Sequence, residues 1–332
     1  MAHTKVAVVG GGWLGCHISN KLKDTCTVTL YEKQDLFGGS SFYNQNRLHA
    51  GFHYSRNWNT RKLCQTTFNK FIQDYGEVVS TVDRNLYIVP NHRSLLDFQT
   101  YKGIFEFEQY SFSEASTDAF TDIEGGICVD ERYIDPVKAK QYFQHKLADI
   151  TIYKEVGEQE LELLAKTNDI VVNTTNNILL PLPGHYYELS LTLLYTRKNI
   201  RNFGAITMVD GPLFSIYPYS GDDYTVTDVE YTPLGTFETI QELQTYKEHL
   251  TCENVQEVVG KVQSKILHYY KDFCKDFEYK GYYTSIKVKN SSQSADRSPT
   301  IVKDGNIISC VTGKIQGVYN LENYIQNEII NR

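Results

Sequence analysis

Apolar positions along the chain fall into short periodic blocks separated by polar loops. Lys5 to Val9 is a run of mostly apolar, β-favouring residues that stops at Gly10-Gly11-Gly12, the pattern of a buried strand entering a tight turn. Leu14, Ile18 and Leu22 then recur at i, i+4 and i+8, which makes one apolar stripe of a helix. Thr27 to Tyr31 reads as a second strand. Further along, the pattern predicts a helix from about Thr60 to Tyr75, a strand over Asn85 to Val89, and a helix opened by Asp135-Pro136. There an aspartate caps and a proline takes the first helical position, with Ala139, Phe143 and Leu147 inward. Asp169 to Asn173 is another strand. Between about Leu179 and Ser285, β-type runs such as Ala205 to Val209 and Tyr224 to Val229 alternate with one clear helix, marked by Val255, Val258, Val259, Val262 and Ile266. Tyr279 to Val288 reads as a strand. The chain closes with a strand from Ile307, a turn, and a helix carrying Val318, Leu321, Ile325 and Ile329.

Composition narrows the class. A chain of 332 residues with 41% hydrophobic residues buries enough surface for one or two cores, which excludes disorder as its main state. Lysine and arginine total 33 against 40 acidic residues, a formal charge of −7, which argues against nucleic acid as a partner. No run reaches the roughly 20 apolar residues that cross a bilayer, and the apolar run at the N-terminus is short for a secretory signal. A soluble, cytoplasmic protein is therefore expected. Seven cysteines at irregular spacing, without a C-x-x-C pair, fit reduced thiols, and the scattered histidines form no metal-binding motif. The unusual element is 25 tyrosines and 16 phenylalanines, for which codon bias and core packing are the first explanation and a flat aromatic ligand the sharper one.

The chemistry begins at the first turn. Gly10, Gly12 and Gly15 make a G-x-G-x-x-G between strand and helix, and Glu32 ends the next strand 22 residues after Gly10. Gly10 permits the turn, Gly12 lets backbone amides approach a pyrophosphate, and Gly15 lets helix and strand close up. The helix N-terminus then faces an anion, and Glu32 accepts from ribose hydroxyls. This is a dinucleotide-binding unit of Rossmann type.

Lys33 to Tyr54 is a long loop rich in glycine, serine and hydrogen-bonding side chains, where a nicotinamide dehydrogenase would start another helix. Here the sequence resembles the FAD-dependent D-amino-acid-oxidase superfamily, which includes glycine oxidase, sarcosine oxidase and L-2-hydroxyglutarate dehydrogenase. The local likeness to the last is strongest, through Leu48-His49-Ala50-Gly51-Phe52-His53-Tyr54 and Lys62-Leu63-Cys64. Asp169 to Thr175, Arg297-Ser298-Pro299-Thr300 and Ile307 to Gly317 resemble the family's later strand, closing strand and closing turn. The resemblance implies an α/β (α+β overall) fold in which an FAD-binding domain, residues 1–77, 131–178 and 286–332, is interleaved with a β-rich substrate domain, 78–130 and 179–285. It also implies FAD contacts at Gly10, Gly12, Trp13, Leu14, Gly15, Glu32 and Lys33, then at Ser40, Ser41, Arg47, Leu48 and His49. Thr174, Gly313, Lys314 and Ile315 complete that set.

Oxidation of a carbon bearing an amine or hydroxyl needs a proton acceptor and a substrate anchor. His49 and His53 titrate near neutral pH and suit the first role; the resemblance favours His49. Arg297 suits the second, because a guanidinium binds a carboxylate through paired hydrogen bonds and the resembled enzymes carry an arginine there. Arg47 is an alternative anchor or a counter-charge for reduced flavin, and Lys314 is placed by resemblance near the flavin pyrimidine ring. Ser40 and Ser41 are expected as cofactor ligands, since no base is positioned to activate them. No second G-x-G-x-x-G is present, so the electrons are expected from a small substrate, an amine, amino acid or 2-hydroxy acid carrying a carboxylate. Two alternatives stay open. Tyr31-Glu32-Lys33 followed by Gly38-Gly39 also resembles the non-redox UDP-galactopyranose mutases, and a non-catalytic FAD-binding protein fits the same motif.

Overall fold

The computed structural model describes residues 4–199, 203–291 and 296–331. The chain divides into two compact units, Met1–Phe42 with Val137–Tyr187 and Lys287–Arg332, and Tyr43–Pro136 with Glu188–Ile286.

The first unit is built on a six-stranded sheet. Its order runs Thr300–Asp304, Ile307–Val311, Ile170–Asn173, Lys5–Val9, Thr27–Glu32, Thr151–Tyr153. The last five run parallel and the first closes one edge as an antiparallel hairpin. Parallel strands covered on both faces are continuously apolar, and Val6, Ala7 and Val8 are accordingly inaccessible to solvent. The helix Trp13–Leu22 is more deeply embedded than one stripe predicts. Trp13, Cys16, His17, Ile18, Ser19 and Leu22 are all buried, and it meets the C-terminal helix Val318–Ile330 through His17 Nε2, 3.1 Å from Glu322 Oε2. The helix Pro136–Lys146 buries Ala139 and Phe143 completely, followed by Leu147.

The second unit carries a nine-stranded sheet and a three-stranded one. In the small sheet Arg47 pairs with Tyr133 and Val79 with Ile134, both antiparallel. These ladders explain why residues 43–77 and 131–136 group with the second unit, not with the glycine turn as the chain pattern divides them. Residues 179–187 group with the first, where the Tyr187 hydroxyl donates to the Asn177 carbonyl at 2.6 Å. The stretch 179–285 holds more helix than its one clear period predicts. Besides Cys252–Tyr269 there are Ile240–Glu248 and the short Phe273–Asp276. The first of these is short and mostly polar, and a reciprocal Thr239–Glu242 capping box, not a long apolar stripe, defines its start.

The aromatic excess goes largely into cores. Tyr75, Tyr87, Tyr101, Tyr195, Tyr217 and Tyr270 are among the largest fully buried side chains. One cluster joins Phe52, Tyr87, Tyr101 and Phe105, with the Phe52 and Phe105 rings 4.9 Å apart. Among the described residues no helix is long and apolar enough to cross a membrane.

Candidate active site

In the first unit the glycine turn is defined by atoms that are missing. Gly10 adopts φ +104°, open to glycine at little cost. A Cβ on Gly15 would stand 1.8 Å from the Gly10 carbonyl oxygen, and one on Gly12 would stand 2.8 Å from Ser41 Oγ. Ser41 Oγ accepts from the Trp13 backbone N–H at 3.0 Å, so it sits at the N-terminus of the first helix. Thr174 locks the turn from the neighbouring strand, its hydroxyl within 2.9 Å of both the Val9 and Gly10 carbonyls. Glu32 accepts from the Gly11 N–H at 2.6 Å and the Gln34 N–H at 3.0 Å. Trp13 is wedged edge-on between Phe37 and Phe143, Leu14 is half-buried, and Lys33 is exposed with its ammonium 4.0 Å from Glu155. The Cys16 thiol donates to the Gly11 carbonyl at 3.3 Å. Burial, then the charge of Glu32, push that thiol well above its ordinary range, so it stays a neutral donor.

The closing turn lies in the same unit. A Cβ on Gly313 would meet Arg297 Cδ at 2.8 Å, and one on Gly317 would meet Thr312 Oγ1 at 2.2 Å and Pro299 Cγ at 2.7 Å. The Arg297-to-Pro299 segment is therefore laid directly on the turn carrying Lys314 and Ile315. The Thr312 hydroxyl donates to the Lys314 carbonyl at 2.8 Å. These residues fit the dinucleotide part of a flavin cofactor. The turn presents backbone without side chains, a helix N-terminus of the kind that suits an anion, and a carboxylate at the end of the second strand.

The second unit holds the two candidate histidines, His49 and His53. Arg47 and Leu48 form the short strand of the three-stranded sheet, and His49 follows, buried. Its ring lies 5.5 Å from His53 and 5.5 Å from Tyr54, so the two histidines do share one locality. Arg47 Nη2 donates to Tyr87 Oη at 2.8 Å and to Thr207 Oγ1 at 2.7 Å, and its guanidinium lies 4.3 Å over the Tyr217 ring. Glu131, entirely buried, is 3.9 Å from Arg47 Nη2 and 3.4 Å from His49 Nδ1. Burial pushes the Tyr87 and Tyr217 phenols up against the opposing pull of Arg47, so both remain protonated. Tyr101 Oη donates to the Phe52 carbonyl at 2.9 Å. Arg61 donates to the carbonyls of Tyr54 and Ser55 at 2.7 and 2.9 Å. The histidine loop is thus clamped by two buried side chains from separate helices.

Sequence reasoning passed over Glu131, Tyr87 and Thr207, and placed Tyr217 on the substrate side without a role. Glu131 lies in the charged triplet Asp130-Glu131-Arg132, which reads as a solvated turn, and Tyr87 and Tyr217 lie in ordinary strand patterns. Only their convergence distinguishes them.

Residues 5–176 match the family model of FAD dependent oxidoreductases. Over 95% of this chain and 88% of the relative, the sequence is 32% identical to the FAD-dependent monooxygenase FPY4 of Fusarium mangiferae. This chain belongs to the FAD-dependent oxidoreductase family. The oxidoreductase is also 26% identical to the FAD-dependent monooxygenase kojA of Aspergillus flavus, over 95% of this chain and 83% of that one. Its fold is that of glycine oxidase from Geobacillus kaustophilus, with TM-score 0.73 at 11% identity over 100% of this chain and 96% of that one. The amino acid oxidase NikD gives 0.70 at 11% identity, over 96% and 92%. The expected α/β fold with an FAD-binding Rossmann-type region is borne out, as is an enzyme that uses FAD. Membership of an oxidoreductase family takes precedence over the mutase and binding-only alternatives.

Proposed function

We propose that this oxidoreductase oxidises a small carboxylate-bearing substrate at a carbon carrying a hydroxyl or an amine. The observation that carries this reading is the buried cluster around His49, whose Nδ1 faces a buried carboxylate at 3.4 Å, an arrangement suited to a base acting through the other ring nitrogen. His49 takes the O–H or N–H proton at Nε2, with His53 beside it. Arg297, laid against Gly313, pairs with the substrate carboxylate. Arg47 is already held by Tyr87, Thr207 and Glu131, so on this reading it contributes fixed positive charge in place of a substrate anchor. When bound, FAD accepts the hydride; the backbone of Gly10 to Gly15, Glu32 and Ser41 hold its dinucleotide part, and Lys33, Ser40, Leu48, Thr174, Lys314 and Ile315 complete the proposed contacts. The names of the two curated relatives favour a second reading, in which molecular oxygen supplies an atom to the product.

The test is anaerobic mixing of the FAD-loaded enzyme with a panel of amino acids, amines and 2-hydroxy acids, with no nicotinamide cofactor present. Loss of visible flavin absorbance with a carboxylate-bearing member is expected. Bleaching only after NADPH is added would overturn substrate as the electron source, and labelled oxygen from O2 in the product would establish the monooxygenase reading. With the responding substrate, Arg297→Ala should raise KM about tenfold or more, the effect of losing a charge-assisted hydrogen-bond pair. An uncharged analogue should be unaffected, and equal effects on both would remove this role from Arg297.

A further inference from the structure

We propose that Glu131 is a positioning residue that fixes His49 in the tautomer with its proton on Nδ1, leaving Nε2 to accept a proton from substrate. The proposal rests on the reading of His49 given above and extends it to a residue that acts through the His49 ring.

Glu131 follows the strand Ile123–Val129 and precedes Arg132–Ile134. Its Oε1 accepts from the backbone N–H groups of Ala50 at 2.7 Å and Gly51 at 3.1 Å, the two residues immediately after His49. One carboxylate oxygen therefore pins the main chain that aims the imidazole. Gly51 makes this possible with φ +129°, and a Cβ there would stand 2.8 Å from Tyr110 Oη. The other oxygen, Oε2, accepts from Tyr87 Oη at 2.6 Å and lies 3.4 Å from His49 Nδ1 and 3.9 Å from Arg47 Nη2. Tyr87 donates to this oxygen, while His49 Nδ1 and Arg47 Nη2 lie within ion-pair range of it and outside hydrogen-bond geometry; an ionised carboxylate only accepts. A carboxylate 3.4 Å from Nδ1 favours the tautomer that carries its proton on that nitrogen, with the lone pair of the neutral ring on Nε2.

Charge gives the same residue a second effect. Arg47 and Glu131 cancel, so the buried cluster is neutral while His49 is neutral. A proton gained by His49 is favoured by Glu131 and opposed by Arg47. Among the described residues, His53 and Tyr54 also face the ring, and Tyr87 and Tyr101 interact with Glu131, with burial raising both of these phenols so that they keep their protons. Rigidity alone does not call for this arrangement, because apolar side chains of similar volume commonly replace a buried ion pair without loss of stability.

The experiment is nitrogen NMR of the oxidised, FAD-loaded enzyme carrying 15N-labelled histidine, with the His49 signals assigned from their disappearance in His49→Gln. The neutral ring is expected to be protonated on Nδ1 and bare on Nε2. Glu131→Gln, which keeps the shape and removes the charge, should lower the His49 titration midpoint by about one pH unit or more, and Arg47→Met should raise it. The opposite tautomer in the wild-type protein would overturn the proposal whether or not either variant folds. So would a midpoint indifferent to Glu131→Gln. Should substrate oxidation survive His49→Gln, His49 would cease to be the proton acceptor while the Glu131-directed tautomer stood.

Discussion

The glycine turn of the first unit and the charged cluster of the second are specified in opposite ways. The turn works through atoms that are absent: Gly10, Gly12 and Gly15 clear space for backbone, and all three lie within one short strand–turn–helix segment. The cluster works through atoms that must all be present. Arg47, Tyr87, Glu131, Thr207 and Tyr217 come from five separated stretches, and each satisfies a polar group that burial would otherwise leave costly. A short-range site tolerates no added atom, whereas a long-range one tolerates no lost partner.

The largest effect expected from this contrast is in the cluster. Glu131→Ala leaves the Arg47 guanidinium buried without its counter-ion, which should cost about 3–5 kcal/mol, read from chemical denaturation of the FAD-loaded enzyme. A loss below about 1 kcal/mol would mean that the cluster is solvated and not satisfied internally. The glycine turn should respond to one methyl group. Gly15→Ala must displace the Gly10 carbonyl, at about 1–3 kcal/mol or more, with FAD affinity falling alongside stability. Gly39→Ala, whose Cβ would have nothing within 4 Å, is the matched control and should stay within about 0.5 kcal/mol of the parent. If both glycines responded alike, crowding would not be what defines the turn.

The smallest effect distinguishes the two regions by alkaline titration. In the first unit burial raises Cys16 and takes Cys310 to about 12; in the second it raises Tyr87 and Tyr217. A folded pKa above the unfolded one contributes stability that is complete below the unfolded value and lost as pH rises through the folded value. For the thiols the loss therefore begins near the ordinary value of 9.0 and for the phenols near 10.0. Stability should fall from about pH 9 upward, and iodoacetamide at pH 8 should label the exposed Cys252 and Cys274 before Cys16 or Cys310. Early labelling of Cys310 would contradict its burial.

The same contrast separates what was legible in the sequence from what was not. Strand, glycine turn, helix and Glu32 could be read because their spacing is the geometry: residues a few positions apart meet in a fixed way once the backbone period is known. The pattern also supplied His49, His53 and Arg297 as chemistry-bearing residues, and the structure brings the two histidines together and sets Arg297 on the Gly313 turn. It could not supply Glu131. A glutamate between an aspartate and an arginine carries no periodic signal, and it becomes a buried acceptor only when the ladders joining Arg47 to Tyr133 and Val79 to Ile134 bring its turn against the histidine loop. The sequence by itself determined the strand, glycine turn and helix, because these rest on local backbone requirements, and likeness along most of the chain carried the family. The tertiary structure alone decided which charges are buried and what faces His49, because electrostatic partners are chosen by proximity in space, and sheet pairing between distant segments sets that proximity.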